Sequence, residues 1–242
     1  MNILHYNIFN GMTADPGHLL RFSKYLKDQP DISLLMLNEY RRSPQLDGVL
    51  ADCGFRYSCI NTHPANKNQA AVFGRIPLGE TLVMPENLRL ILLRLQDFDL
   101  VCYHASPSGV EAVQQEISCL LPMLDAQRPT LLCGDLNSLS ARDHQTLAYN
   151  PLSPKNGAGR YCLNGCLNFA VLEQLTEAGF ADIRGPGRSD TVPTNIGRKM
   201  EQGIRLRLDY CLSRNLPVSS ARVLDHPPFS DISDHYPLYI TL

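Results

Sequence analysis

An α/β domain is predicted by two features of the chain. Short apolar runs bounded by polar turn signals recur from end to end, and stretches of helical period separate some of them. The 242 residues, 44% hydrophobic and 19% charged, suffice for one large domain with a substantial core.

The elements follow in order. Residues 2–9 read as a buried strand ending in the turn signal of Asn7, Asn10 and Gly11. Residues 18–27 carry Leu19, Leu20, Phe22, Tyr25 and Leu26 at the spacing of an amphipathic helix. Residues 32–37 are a continuous apolar run that stops at Asn38 and Glu39. A strand at 55–60 precedes a polar loop, 61–68, whose composition suits binding. Strands follow at 70–74, 81–84, 88–95 and 98–103. The short Gln96-Asp97 link makes the last two a hairpin that delivers His104 at a strand end. Residues 109–126 are helical, with Val113, Ile117, Leu120, Leu121 and Leu124 on one face.

The stretch T-L-L-C-G-D-L-N-S, 130–138, is the centre of the pattern. A buried strand ends at Gly134, and Asp135 and Asn137 leave it two residues apart. If the extended backbone persists, both side chains point the same way, an arrangement suited to a cation or a phosphate. The alternative is a strand-to-turn junction in which the two side chains cap backbone groups. Residues 141–147 are expected to form a short helix, 150–164 a loop with Lys155 and Arg160, and 169–178 a helix closed by Gly179. A long irregular stretch, 183–203, holds Arg184, Arg188, Arg198 and Lys199. Residues 204–213 alternate, placing Arg205, Arg207, Asp209 and Cys211 on one face, which fits a half-exposed strand with charges outward. Asp234 and His235 precede a last apolar strand.

Bulk properties exclude some roles. A net charge of −2 gives no global basic field for nucleic acid, although local patches remain open to it. No apolar run reaches membrane-spanning length, and no secretory leader opens the sequence, so a cytoplasmic location is expected. Of the eight cysteines, Cys162 and Cys166 alone have metal-like spacing, and the absence of a second pair argues against zinc.

Six fragments form an ordered set: Y-N-I-F-N-G (6–11), L-N-E (37–39), Y-H-A-S-P (103–107), G-D-L-N-S (134–138), R-L-D-Y (207–210) and S-D-H (233–235). The series resembles the endonuclease/exonuclease/phosphatase superfamily, the deoxyribonuclease I-like proteins, and within it the bacterial hydrolases. The resemblance implies a single domain over 1–242, a four-layer α/β sandwich with two mostly antiparallel sheets packed between helices. It also implies an active site where strand-end loops meet. Departures are Asn38 for the usual Gln, Asn10 where nucleases often carry Asp, Gly74-Arg75 for Ser-Arg, and no Trp.

Four carboxylates in one cleft repel unless a cation offsets them, and oxygen donors without thiolates select a hard ion, so Mg²⁺ or Mn²⁺ is expected. The resemblance implies Glu39 as principal metal ligand with Asp234 adding to its shell. Asp209 is expected to accept a hydrogen bond from His235, and Asp135 to orient or deprotonate the attacking water. Asn137 and Asn7 are expected on the phosphate or the water, and His104 as donor to phosphate or leaving group. Asn10 and Arg207 complete the expected substrate contacts. Whether His235 acts as base or as phosphate clamp stays open. The expected activity is hydrolysis of a phosphodiester or phosphomonoester by in-line water attack, with nucleic acid, a small metabolite or a lipid headgroup as substrate. A monomer is expected, and an inactive binding module on the same fold is the alternative.

Overall fold

The computed structural model describes residues 1–13, 15–62, 67–82, 88–143, 158–196 and 205–242. In chain order the strands and helices are β1 (Asn2–Asn7), α1 (Pro16–Asp28), β2 (Ile32–Tyr40), α2 (Pro44–Asp52), β3 (Tyr57–Ile60), β4 (Gln69–Gly74), β5 (Glu80–Thr81), β6 (Leu90–Arg94) and β7 (Asp99–His104). There follow α3 (Val110–Leu120), β8 (Thr130–Asp135), β9 (Cys162–Leu163), β10 (Cys166–Leu167), α4 (Ala170–Glu177), β11 (Ala181–Asp182), β12 (Asp209–Arg214), β13 (Ser220–Val223) and β14 (Leu238–Thr241).

Two six-stranded sheets result, ordered β13-β14-β1-β2-β4-β3 and β11-β12-β8-β7-β6-β5. Each holds one parallel pair, β1 with β2 and β7 with β8, and the other neighbours run antiparallel. The parallel pairs need crossovers, and α1 and α3 supply them. Strand periodicity then sorts the side chains into layers. Leu4, Tyr6, Leu35 and Leu37 face α1 and α2 with Phe22, Leu26, Leu46 and Leu50. Val101, Tyr103, Leu132 and Tyr210 face α3 and α4 with Val113, Ile117 and Leu175. Ile3, Leu34, Met36, Leu100, Cys102, Leu131, Cys133 and Cys211 fill the space between the sheets. This is the four-layer sandwich. Each fully buried Leu or Ile contributes about 1.5–3 kcal/mol relative to an exposed one.

The inner layer positions the site. Continued by two residues toward the strand ends, the same inward face turns polar: His5 and Asn7 on β1, Asn38 on β2, His104 on β7, Asp135 on β8, Asp209 on β12. Gly134 permits the close strand approach, since a Cβ there would lie 1.7 Å from the Tyr103 carbonyl oxygen.

Some expectations are corrected. Residues 205–213 are not one half-exposed strand with all charges outward, although Arg205 is exposed. The strand begins at Asp209, Leu206 makes only an isolated bridge with Val192, and Arg207 and Asp209 are buried. Burial is tolerated because each charge is paired, Asp209 with His235 and Arg207 with Asp143 and Asp182. Helix α2 was not anticipated. Its signals are Ser43, which accepts from the Leu46 N–H, Pro44 in the first turn, and the buried pair Leu46 and Leu50. Parts of the loop 61–68, of the strand 81–84, of the helix 141–147 and of the stretches 150–164 and 183–203 lie outside the described residues, as do Lys155, Arg198 and Lys199. All eight cysteines are free. Cys162 pairs with Leu167 and Cys166 with Leu163 across the β9–β10 hairpin, so the two thiols leave opposite faces.

Candidate active site

Asp135 is the focus of the polar layer. As the last residue of β8 it stands in register between His104 and Asp209. Its Oδ2 accepts from Asn7 Nδ2 at 3.0 Å, and lies 3.7 Å from His104 Nε2 and 3.8 Å from His235 Nε2. Its Oδ1 accepts the Asn137 N–H at 2.9 Å. The capping turn considered from the sequence is therefore present. The extended backbone does not persist, because Asn137 turns at φ 44°. The Asn137 amide then donates to the Ala105 carbonyl at 3.1 Å, tying the loop after β8 to that after β7.

His235 is held by Asp209, whose Oδ2 is 2.7 Å from Nδ1. That bond directs Nε2 toward Asp135. Burial alone would push the imidazole down, but the Asp209 and Asp135 carboxylates outweigh it and hold it up to about 10. Burial likewise favours a protonated Asp209, yet the His235 charge brings it below the ordinary carboxylate value. Asp135 is raised to about 6, first by burial and then by Asp209, with His235 opposing. His104 is pushed well below its ordinary value by burial and by the positive fields of Arg89, His235 and His5, and so is neutral at neutral pH.

Glu39 closes the other side. It sits at φ 55°, an uncommon conformation for a residue with a Cβ. Its carboxylate accepts the Asn10 main-chain N–H at 2.9 Å, Asn68 Nδ2 at 3.1 Å and, at 3.5 Å, the same Asn7 amide that reaches Asp135. Asp234, next to His235 in sequence, is half-buried and lies 3.5 Å from the Ser233 hydroxyl. Ser233 itself donates to the Asn7 carbonyl at 2.6 Å, joining the last loop to β1.

The structure therefore brings together Asn7, His104, Asp135, Asn137, Asp209 and His235, with Glu39 joined through Asn7. Asn10 reaches the group by its main chain, while its side-chain oxygen accepts from Arg41 and from Asn68. Arg207 is not in the cluster. Its guanidinium is fixed by Asp143 at 2.8 Å and by both oxygens of Asp182 at 2.8 and 2.6 Å, and it stacks on Tyr210. Asn68 and Arg41 were missed as individual site residues. Asn68 ends the polar loop flagged in the sequence, and Arg41 lies two residues after Glu39, but neither position carries a pattern that distinguishes it from a solvated residue.

Donor chemistry fits a hard cation. Glu39 and Asp135 converge on one amide with oxygen atoms only. Asp135, Asp209 and His235 also offer ligand atoms within 4.8 Å of one another, although Asp209 Oδ2 and His235 Nδ1 already engage each other.

The profile of the Endonuclease/Exonuclease/phosphatase family matches residues 4–235. No curated protein sequence matches the chain. Among solved structures, an AP endonuclease from Archaeoglobus fulgidus superposes with a TM-score of 0.73 at 16% identity, covering 100% of this chain and 99% of that one. A 3′-5′ exonuclease (NExo) from Neisseria meningitidis gives 0.71 at 14% identity, covering 100% and 99%. An endonuclease/exonuclease/phosphatase from Beutenbergia cavernae gives 0.67 at 20% identity, covering 99% and 70%. At these identities the likeness is one of fold.

Proposed function

Since the chain belongs to the endonuclease/exonuclease/phosphatase family, we propose that it is a divalent-metal-dependent phosphoesterase whose reaction is centred on Asp135. The observation that carries this reading is the convergence of Asn7, His104 and His235 on a single Asp135 oxygen.

Each group has a role that its environment supports. Asp135, raised to about 6, is ionised at neutral pH yet basic enough to take a proton from a water molecule aligned with phosphorus. His235, held protonated by Asp209, donates through Nε2 to a phosphate oxygen and so acts as clamp rather than base. Neutral His104 faces Asp135 from the neighbouring parallel strand and donates to the phosphate or the leaving oxygen. Asn7 orients Asp135 and links it to Glu39 through one amide. Glu39, with Asp234, would hold Mg²⁺ or Mn²⁺, and the bound ion would offset charge developing on the phosphoryl oxygens. Asn137 braces the loop that follows Asp135.

The substrate is a phosphoester, and nucleic acid is one candidate. The solved relatives named as an AP endonuclease and an exonuclease favour that candidate. Among the described loop cations, Arg188 is paired with Asp190, and Arg160 stacks over Tyr161. The test is hydrolysis in heavy-oxygen water of bis-p-nitrophenyl phosphate, p-nitrophenyl phosphate and single- and double-stranded DNA. The reading predicts label in the phosphate product and loss of turnover in Asp135→Asn. Label absent from phosphate, or an unimpaired Asp135→Asn, contradicts it.

A further inference from the structure

One buried titratable group behind the cleft is not used by the reaction as described. His5 lies on the inner face of β1, two residues before Asn7, and is wholly buried. Its Nε2 is 2.9 Å from the Asn38 side-chain oxygen. The same oxygen accepts the main-chain N–H of Asp135 at 2.9 Å. A main-chain N–H only donates, so this contact fixes the Asn38 amide with its oxygen toward Asp135. Its nitrogen then points to Cys102 Sγ, 3.8 Å away. With the amide so fixed, His5 Nε2 must carry a proton and donate.

The other ring nitrogen faces the second carboxylate. His5 Nδ1 is 3.8 Å from Asp209 Oδ1, too far for a hydrogen bond. Neither atom has a hydrogen-bond partner among the described residues, and both are buried. Native interiors rarely leave two such atoms opposed. With Nε2 protonated and burial holding the imidazole below its ordinary value, Nδ1 is bare and its lone pair faces Asp209 Oδ1, which leaves Asp209 with His235 as its ring partner.

We propose that His5 is a positioning residue that ties the two catalytic carboxylates together. Through Asn38 it holds the backbone that aims Asp135, and through its opposite edge it backs Asp209 against His235. The chain of contacts runs His235–Asp209–His5–Asn38–Asp135 and closes on itself where His235 Nε2 faces Asp135. Asn38 thus has a reason to be short. From the end of β2 its amide bridges β1 to β8 across the sandwich, a span set by the inner layer. The proposal rests on the phosphoesterase reading for its effect on turnover, but its geometry is independent of that reading.

The test separates the two edges of the ring. Gln at position 5 places an amide nitrogen near Nε2 and keeps the Asn38 contact. Asn places one near Nδ1, loses the Asn38 contact and presents a donor to Asp209. Leu removes both. Wild type, His5→Gln, His5→Asn and His5→Leu are compared in two arms. The first is steady-state hydrolysis of bis-p-nitrophenyl phosphate with Mg²⁺. The second is proton–nitrogen NMR of the histidine rings without metal. His5→Leu is expected to lose at least about tenfold in kcat with KM held within about twofold, and the two amide variants to fall between it and wild type. The downfield His235 Nδ1–H resonance is expected to move in His5→Leu and His5→Gln.

A folded His5→Leu with wild-type kcat and an unmoved His235 resonance overturns the proposal. If the variants fail to fold, the wild-type spectrum still decides, because a His5 ring with Nε2 bare contradicts the proposal and a protonated Nε2 supports it. Absence of any wild-type hydrolysis would count against the phosphoesterase reading instead, and the resonance arm would then judge His5 without turnover.

Discussion

His235 Nδ1 and Asp209 Oδ2 stand 2.7 Å apart in a site from which water is largely excluded. The bond joins the loop before β14 to the start of β12, so two segments distant in sequence share one proton. Asp209→Asn keeps the size of the side chain but replaces an acceptor that favours imidazolium. A loss of about 10²–10³ in kcat is expected, the range for removing one preorganised donor to charge developing on the phosphate. His235→Ala should cost a similar factor, and the double variant little more than either alone, because the two act as a unit. Single-turnover rates of the three proteins check this. Losses that multiply would contradict the pairing.

Activity should rise with pH through the acid limb. Asp135 must be ionised to accept a proton, and its carboxyl is raised to about 6 by burial and by Asp209. A kcat/KM profile with an inflection near pH 6 is expected for the free enzyme, falling below it. An acid limb near 4, the ordinary carboxylate range, would disagree.

Stability should respond to His235 in the alkaline direction. Its folded value, about 10, exceeds the ordinary 6.5, so the folded state binds its proton more tightly than the unfolded chain. The resulting stabilisation is complete below pH 6.5, shrinks as pH rises above it, and is gone once pH passes about 10. Thermal unfolding of wild type and His235→Gln across pH 6 to 10 checks this. The wild-type midpoint should fall more steeply than that of the variant. Parallel curves would mean that the charge on His235 contributes nothing to folding.

Arg207 should prove structural. Removing it leaves Asp143 and Asp182 buried with Arg184 as the remaining cation bound to both. Arg207→Ala is expected to cost about 3–5 kcal/mol, the range for breaking a buried pair. Arg207→Lys should recover little of it, because the bidentate contact to Asp182 needs the planar fork. Denaturant unfolding gives the stability. The kcat of whatever protein remains folded should be close to wild type, and a hundredfold loss there would return Arg207 to the substrate site.

The sequence carried much of the site because strand ends announce themselves. Leu131 to Cys133 is apolar, Gly134 breaks the run, and Asp135 follows, so a buried strand delivering a carboxylate is legible from composition alone. The same holds for Ile32 to Leu37 before Asn38 and Glu39. Assembly of these ends into one cleft was legible only through the ordered family fragments, since register across β7, β8 and β12 depends on contacts distant in sequence. The surroundings of Arg207 are illegible for a related reason. Alternation assigns it a face but does not reveal that Asp143 and Asp182 wait on that face. His5 is not legible as a site residue because a histidine inside an apolar run looks like core, and the groups it faces come from positions 38 and 209.

The measurement that bears most directly on the central claim is p-nitrophenolate release from bis-p-nitrophenyl phosphate while Mg²⁺ is withdrawn with EDTA and then restored, in wild type and in Glu39→Ala. The account predicts wild-type turnover that disappears with EDTA and returns with Mg²⁺, and a Glu39→Ala protein that stays folded and turns over at least about a hundredfold more slowly under the same Mg²⁺. Wild-type turnover that persists in EDTA, or a Glu39→Ala protein as active as wild type, would contradict it.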